Sequence, residues 1–506
     1  MNNIVNISEN EIVEGVLAEF SQLAKIPRPS GYEKAVSDYL YKLFSDMGCR
    51  VVQDDVNNII ADMEATEDCQ EKPLTVLQAH MDMVCVAAEG VDFNPLTDEI
   101  KLVREGNLLH ADGTSLGADD GMGIAIIVYI MKHLESHGPL RAVITVDEEC
   151  GMTGAEKLAP EALADARYLI NCDSEDWDLL TVGSAGSGDI TFRQGFCPMR
   201  SSLPKLYRLK VSGLRGGHSG EEINCGGGNA IKALAACLHS WRQKGLAFDL
   251  VSFNGGRAKN VIPGSSEAVF YSDAGLEELA AAADESRQEF LAVYGSIEAG
   301  AVFAVEPVED VEAIGTAAGV GRPQAMDRYQ KDNLIDLLMC LSNGVSAMSQ
   351  LCPGLVQTSA NLGVVRTVFE ADRGEKYIEV QYMPRSANEG SILEYYRTAE
   401  ILARLTDFEL QTGRISPSWG ERQDSRLAKL MLEVFAEQNG QPMRMATIHA
   451  GLECSWHLQK NPQLDIVSIG TNNNDIHSPS ETLELDTVAP QVKLIAEVLC
   501  RIFPKE

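Results

Sequence analysis

Two spacings of apolar residues alternate along the first third of the chain. Apolar residues at helical spacing predict helices at Gly15–Ile26, Tyr32–Met47 and Met122–Leu134. Short apolar runs predict buried strands at Leu74–Ala79, Arg141–Val146 and Tyr168–Asn171. Strands that alternate with helices are typical of an α/β domain with a largely parallel central sheet between helices.

The pattern changes after Gly183, where a run of small residues is followed by strands of alternating polarity such as Lys205–Ser212. Further strands and helices of this type indicate an inserted α+β domain. The last hundred residues return to the first pattern, with a predicted helix at Arg426–Gln438 and a predicted strand at Ile466–Ile469. We therefore expect a first domain formed by residues 1–187 and 398–506, with residues 188–397 inserted between its two parts.

Composition narrows the possible functions. The 506 residues carry a formal net charge of -32, which disfavours binding to nucleic acid or to anionic lipid surfaces. No run of 18 apolar residues predicts a membrane span, and the N-terminus lacks the basic and apolar regions of a signal peptide. The twelve cysteines are irregularly spaced and form no CxxC pair. We expect a cytoplasmic protein.

Four predicted strands are followed by side chains of the types that bind metals. The first is followed by His80 and Asp82, which an extended chain points to one face. Asp82 could then accept the second imidazole N–H and fix the tautomer of His80. The next ends in Asp147, Glu148 and Glu149, a run of like charges that is costly unless cations neutralise it.

The other candidates are Asp173 after the Tyr168–Asn171 strand, the pair Asp119 and Asp120 at a helix start, and the distant His477. The aspartate pair could be an ordinary helix cap, or one member could bridge two metal ions. Imidazole together with carboxylate suits zinc, manganese or cobalt better than calcium or magnesium. Glu149 as ligand and Glu148 as an unligated base would match zinc-assisted hydrolysis.

These motifs resemble a known family over essentially the whole chain. His80-x-Asp82, Asp119-Asp120-Gly121, Glu148-Glu149-x-Gly151, Asp173 and His477-Ser478 are similar to the co-catalytic zinc peptidases that include carboxypeptidase G, peptidase T and the aminoacylases. Within that family, the segments Ile26–Ser30, Gly213–Gly220 and His449–Cys454 resemble the aminoacyl-histidine (Xaa-His, or peptidase D) dipeptidases. Ser455 departs from the pattern, which has glycine there.

The resemblance implies a set of metal ligands. Asp119 would bridge two Zn²⁺ ions (or Co²⁺ or Mn²⁺), with His80 and Asp173 at one and Glu149 and His477 at the other. An aspartate at position 173 goes with aminopeptidases and dipeptidases in this family. The peptide bond between Asp119 and Asp120 is expected to be cis.

The resemblance also implies that the insert is a lid made of doubled, ferredoxin-like halves. His218, Asn260, Arg385 and Gly451 would contact the substrate, with Arg385 on the free carboxylate and His218 on the oxyanion. The predicted function is hydrolysis of dipeptides with free termini. Glu148 would act as the general base, and Asp82 is the second predicted catalytic residue. A homodimer is possible. Deacylation of N-acyl amino acids, carboxypeptidase activity and a non-catalytic binding role remain alternatives.

Overall fold

The computed structural model describes residues 3–309, 322–350, 354–370, 375–420, 422 and 424–502. They form two compact units. The first unit contains the residues up to Ser184, Trp419–Thr447 and the residues from Leu452 onward, and the second contains Ala185–Ser418 and Ile448–Gly451. Each unit has its own hydrophobic core.

The first unit is an α/β layer structure. Its N-terminal part contains α1 (Glu9–Leu23), α2 (Lys34–Asp46), β1 (Arg50–Gln53), β2 (Ile59–Met63), β3 (Leu74–His80), β4 (Leu102–Glu105), β5 (Leu108–Ala111), α3 (Ala118–His133), β6 (Leu140–Thr145), α4 (Glu148–Gly151), α5 (Thr153–Lys157), β7 (Ala166–Ser174) and β8 (Leu179–Ser184).

The second unit follows along the chain. It contains β9 (Gly186–Ser187), β10 (Ile190–Gly195), β11 (Pro198–Met199), β12 (Lys205–Ser212), β13 (Gly217–His218), α6 (Ala230–Gln243), β14 (Phe248–Gly255), β15 (Val261–Ile262), β16 (Ser266–Ser272), α7 (Leu276–Tyr294), β17 (Val302–Pro307), β18 (Ala325–Met326), α8 (Arg328–Cys340), β19 (Gly344–Met348), β20 (Val356–Glu370), β21 (Glu375–Ser386), α9 (Glu389–Thr406) and β22 (Glu409–Thr412).

The chain then returns to the first unit. This last part contains α10 (Arg426–Asn439), β23 (Arg444–Ile448), α11 (Cys454–Lys460), β24 (Asp465–Gly470), β25 (Asn473–Asn474), β26 (Thr482–Glu484) and α12 (Val488–Arg501).

An eight-stranded mixed sheet organises the first unit, in the order β1-β2-β6-β3-β7-β24-β8-β23. The four central strands β6, β3, β7 and β24 are parallel, and antiparallel pairs flank them. Every residue of β3, β6 and β24 is buried, as expected for parallel strands covered on both faces. Because β24 comes from the C-terminal part, the two distant parts of the chain form one sheet.

The second unit consists of two β-α-β-β-α-β halves within one ten-stranded antiparallel sheet. We call the half formed by β12, α6, β14, β16, α7 and β17 the inner half, because it lies between the strands of the other, outer half along the chain. Its strand order is β17-β12-β16-β14. The outer half orders its strands β20-β21-β10-β22 around α8 and α9, and β14 joins it through β20. This arrangement is the doubled, ferredoxin-like fold that the family resemblance implies.

The second domain boundary differs from the expected one. Residue 397 lies inside α9, whereas the second unit continues to Ser418. The reason is that β22, which follows α9, pairs with β10 and completes the outer half. The first boundary, expected after residue 187, falls after Ser184. Sequence periodicity detects the helix α9 but not the partner of the short strand after it.

Most strongly periodic segments occur where the sequence predicts them, with ends shifted by a few residues. The first helix begins earlier, at Glu9, because Ser8 and Glu11 form a capping box at its start. Helix α7, at Leu276–Tyr294, was not predicted. Among the described residues, no helix is long and apolar enough to span a membrane.

Candidate metal centre

The central parallel strands bring the predicted ligands to one edge of the sheet. Strand β3 ends at His80, whose side chain is 1% exposed. Its Nδ1 lies 3.4 Å from Asp82 Oδ1 and 3.2 Å from the Asp82 main-chain oxygen. The other ring nitrogen, Nε2, faces Asp119 Oδ1 at 3.0 Å and Asp173 Oδ1 at 3.4 Å. Nδ1 of the imidazole therefore contacts Asp82, while Nε2 points at the carboxylates of Asp119 and Asp173.

Asp119 lies between two histidines from opposite ends of the chain. Its Oδ1 faces His80 Nε2, and its Oδ2 lies 3.2 Å from His477 Nε2. The neighbouring Asp120 has a different role, because its Oδ1 accepts the N–H of Gly123 at 3.1 Å at the start of α3. The peptide bond between the two aspartates is cis. One aspartate thus caps the helix and the other is presented to both histidines.

The loop after β6 presents Glu148 and Glu149. Asp147 has a positive φ of 55°, which turns the chain sharply at the end of the strand into the short helix α4. The carboxylate of Asp82 accepts the N–H groups of Glu148 at 3.0 Å and of Glu149 at 3.2 Å. Asp82 therefore contacts both the His80 ring and the backbone that carries the two glutamates.

His477 comes from the connection between β25 and β26 and has a φ of 59°. Its Nε2 lies 2.9 Å from the Glu149 carboxylate as well as near Asp119. Two groups of three side chains thus share Asp119: His80 with Asp173, and Glu149 with His477. In each group the possible ligand atoms lie within 4.8 Å of one another.

The electrostatics of the centre are those of an acidic site. Burial opposes the charged form of His80, but the Asp173 and Asp119 carboxylates raise its pKa well above the ordinary value. Hydrogen bonds to Asp119 and Glu149 raise the pKa of His477 to about 10. Burial, reinforced by Asp119 and Glu149 against the opposing effect of His80, raises the pKa of Asp173 to about 6. Burial also raises the pKa of Glu148 well above its usual range.

These residues fit divalent cations. Five side chains converge with nitrogen and oxygen donors, and three partly buried carboxylates lie close to the two imidazoles. Such a cluster is unfavourable without positive charge, and a cation of charge +2 would supply it. The mixture of imidazole and carboxylate is the donor set that zinc, cobalt and manganese share.

A buried polar layer lies directly behind the ligands. Gln78 precedes His80 by two residues in β3, and Asn171 precedes Asp173 by two residues in β7. Asn171 Nδ2 donates to Gln78 Oε1 at 2.6 Å, while Gln78 Nε2 and Thr145 Oγ1 each donate to Glu453 Oε2 at 2.6 Å. Burial raises the pKa of Glu453, which is 0% exposed, to about 8.

Sequence reasoning gave no role to this layer or to Arg28 and Glu481, which also contact the ligand-bearing backbone. A detectable signal existed for the layer, because Gln78 and Asn171 are polar residues inside apolar strands, two positions before a candidate ligand. No comparable signal marks Glu453, which lies far away along the chain.

The predicted substrate contacts His218, Asn260, Arg385 and Gly451 all belong to the second unit. His218 Nδ1 lies 3.4 Å from Glu221 Oε1, and burial together with Arg385 lowers the His218 pKa. The main-chain oxygen of Asn260 accepts the N–H of Ser219 at 2.8 Å, which joins the His218 and Asn260 segments.

Arg385, in β21, is 8% exposed. Within the described part of the chain its guanidinium makes no hydrogen bond or ion pair, and its Nε is buried without a partner. Asp189 and Glu221 act on it only at longer range, and burial lowers its pKa. A buried guanidinium without a partner is typical of a site for an anionic ligand.

The fold and the site together indicate a metallopeptidase. Acidic and imidazole side chains lie at the ends of the parallel strands of a mixed α/β sheet, and the second unit contains a pair of ferredoxin-like halves. The chain belongs to the peptidase family M20/M25/M40, whose model matches residues 76–501.

Similar proteins match nearly the full length of the chain. The cytosol non-specific dipeptidase of Escherichia coli K12 is 30% identical over 96% of both chains. The crystal structure of aminoacylhistidine dipeptidase from Vibrio alginolyticus matches with a TM-score of 0.85 and 29% identity, over 97% of both chains. The aminopeptidase PepT from Bacillus cereus shares the fold at a TM-score of 0.56 and 15% identity, over 96% of this chain and 98% of that chain.

Proposed function

We propose that this peptidase is a metal-dependent dipeptidase that cleaves dipeptides with free termini. The observation that carries the proposal is Asp119, whose two carboxylate oxygens face His80 and His477 from opposite ends of the chain. The names of two full-length relatives, a non-specific dipeptidase and an aminoacylhistidine dipeptidase, support the same substrate class. We expect broad specificity that includes Xaa-His dipeptides.

Two Zn²⁺ ions, or Co²⁺ or Mn²⁺ in their place, would be held by His80, Asp119 and Asp173 on one side and by Asp119, Glu149 and His477 on the other. When bound, they supply Lewis acidity for the peptide carbonyl and lower the pKa of the attacking water. Asp82 keeps the His80 ring oriented through Nδ1 and holds the backbone of Glu148 and Glu149.

Glu148 is the proposed general base. A carboxylate oxygen of Glu148 lies within 4.8 Å of a ring nitrogen of His80 and of a carboxylate oxygen of Glu149. Glu148 would accept the proton of the attacking water and then donate it to the leaving amine. Burial, which raises its pKa, favours a carboxyl group that can hold the transferred proton for that interval.

The second unit would supply the contacts to the substrate termini. Arg385, whose guanidinium has no partner among the residues that the structure describes, would pair with the free carboxylate of the dipeptide. His218, whose lowered pKa favours the neutral imidazole, would donate an N–H to the oxyanion. Asn260 and the Gly451 backbone would complete the substrate contacts. Recognition of both ends would restrict the substrate to two residues.

A panel of substrates tests the proposal. Zinc-loaded protein is expected to hydrolyse free dipeptides, including Xaa-His peptides, and to leave N-acetyl amino acids and longer peptides intact. Turnover of N-acetyl amino acids alone would instead identify a deacylase, and binding without turnover would identify a non-catalytic protein. Action in the cytoplasm and assembly as a homodimer are further parts of the proposal, which cell fractionation and light scattering would test.

A further inference from the structure

Two buried side chains of opposite charge, Glu481 and Arg28, hold the backbone that carries Asp119. Neither has a role in the proposed catalytic mechanism. Glu481 is 2% exposed and follows His477 by four residues. Its Oε2 accepts the N–H groups of Leu116 and Gly117 at 2.7 and 2.9 Å. Its Oε1 accepts those of Ala118 and Asp119 at 2.9 and 3.4 Å.

Arg28 binds the same loop from its carbonyl side. Its Nη2 donates to the Gly117 oxygen at 2.5 Å, and its Nη1 donates to the oxygens of Met81 and Asp82 at 3.1 and 3.2 Å. Arg28 therefore connects the residues just after His80 with the loop before Asp119. A Cβ at Gly117 or Gly121 would lie 2.7 or 2.5 Å from Nη2, so both glycines are needed for this approach.

We infer that Glu481 and Arg28 are positioning residues that fix Asp119 relative to His80 and His477. Glu481 lies just before β26, whose pairing with β25 closes the hairpin that carries His477. Four hydrogen bonds from one carboxylate thus couple the His477 hairpin to the Asp119 loop. Arg28 couples that loop to the end of β3.

The coupling matters because His477 lies on a connection between two short strands. Its side chain is 44% exposed and it projects from a short connection, whereas His80 is buried at the end of a central strand. A shift of the Asp119 loop relative to the hairpin would change the 3.2 Å separation between Asp119 Oδ2 and His477 Nε2. Residues behind the ligands are known to change metal affinity by about 10- to 100-fold.

The inference rests on the proposed two-metal site. The experiment distinguishes failure of the inference from failure of that proposed site. Glu481→Gln keeps the shape of the side chain but turns an amide NH₂ toward backbone N–H donors, and Glu481→Ala removes the acceptor altogether. Asp465→Asn is the matched control. Asp465 is also buried and accepts backbone N–H groups, those of Arg426 and Leu427 at 2.8 and 3.0 Å. It lies at the start of β24, the opposite strand end from the metal centre.

Zinc stoichiometry and zinc affinity are measured by competition with a chromophoric chelator, and the thermal midpoint is measured on the metal-free proteins. We expect Glu481→Gln to weaken zinc binding about tenfold and Glu481→Ala up to about 100-fold. Arg28→Lys, which cannot reach both carbonyl groups with a planar fork, should weaken it as well. Asp465→Asn should lower the thermal midpoint and leave zinc affinity unchanged.

Zinc affinity in Glu481→Gln within twofold of the native value, with a thermal midpoint lowered as in Asp465→Asn, would show that Glu481 only stabilises the fold and would overturn the inference. A native chain that bound no divalent ion would overturn the proposed two-metal site itself. Because Glu481→Gln preserves side-chain volume, the test does not depend on the folding of the alanine variant.

Discussion

Replacing Arg385 by methionine should make the protein more stable and less active at once. Arg385 is 8% exposed and, among the described residues, its guanidinium has no hydrogen bond or ion pair. Methionine fills a similar volume without charge. Replacing a buried ion pair by apolar residues of similar size is often neutral or stabilising by about 1–4 kcal/mol, because the desolvation penalty of the charges can exceed their attraction. Arg385 pays that penalty with no ion-pair attraction among the described residues to offset it, so we expect the stabilising side.

The loss of activity follows from the same feature. A charge-assisted pair between Arg385 and the substrate carboxylate would be worth about 2–4 kcal/mol when buried. At about 1.4 kcal/mol per factor of ten, kcat/KM for a free dipeptide should fall by about 30- to 700-fold. For the corresponding dipeptide amide, which lacks the carboxylate, the native and variant proteins should have similar kcat/KM.

The assay compares kcat/KM on the dipeptide and on its amide, together with the thermal midpoint of each protein. A unit of about this size should gain about 2–4 °C per kcal/mol of added stability. Arg385→Lys serves as the control, because it keeps a positive charge but not the bidentate geometry. A less stable Arg385→Met protein with unchanged preference for the free carboxylate would refute the reasoning.

Three further predictions concern the metal centre. Glu148→Gln should reduce kcat by about 10²- to 10⁴-fold while two zinc ions remain bound, and full activity in this variant would contradict its role as base. Removing metal with a chelator should abolish turnover and lower the thermal midpoint, and zinc at about 100 times its Kd should restore about 2.7 kcal/mol of stability; an unchanged midpoint would count against the site. The folded-state pKa of His477, about 10, lies above its unfolded value of about 6.5. The ion pairs of protonated His477 therefore stabilise the metal-free protein fully below about pH 6.5. This stabilisation is lost as the pH rises through about 10. Zinc must displace that proton, so calorimetry in buffers of different ionisation enthalpy should detect proton release, and its absence would contradict this assignment.

Much of the fold could be predicted because it depends on local periodicity. Strand β12 has the predicted bounds, since alternating apolar spacing records which face of a strand is buried. The acidic and imidazole residues at the ends of β3 and β7 and just after β6 could also be recognised, because the ends of parallel strands lie at one edge of a sheet. The end of the second unit could not, because it depends on the pairing of β22 with β10 across more than two hundred residues.

The sequence by itself determined the helix and strand types, the chemistry of the candidate ligands and their positions just beyond apolar strands. Only the tertiary structure decided that His477 and Asp119, 358 positions apart, face each other, and that Glu481 and Glu453 accept hydrogen bonds behind the ligands. It also decided that Arg385 is buried with no partner in the described part of the chain. The physical reason is range: residue spacing along the chain records which face of a single element is apolar, whereas these contacts arise when separate segments pack together.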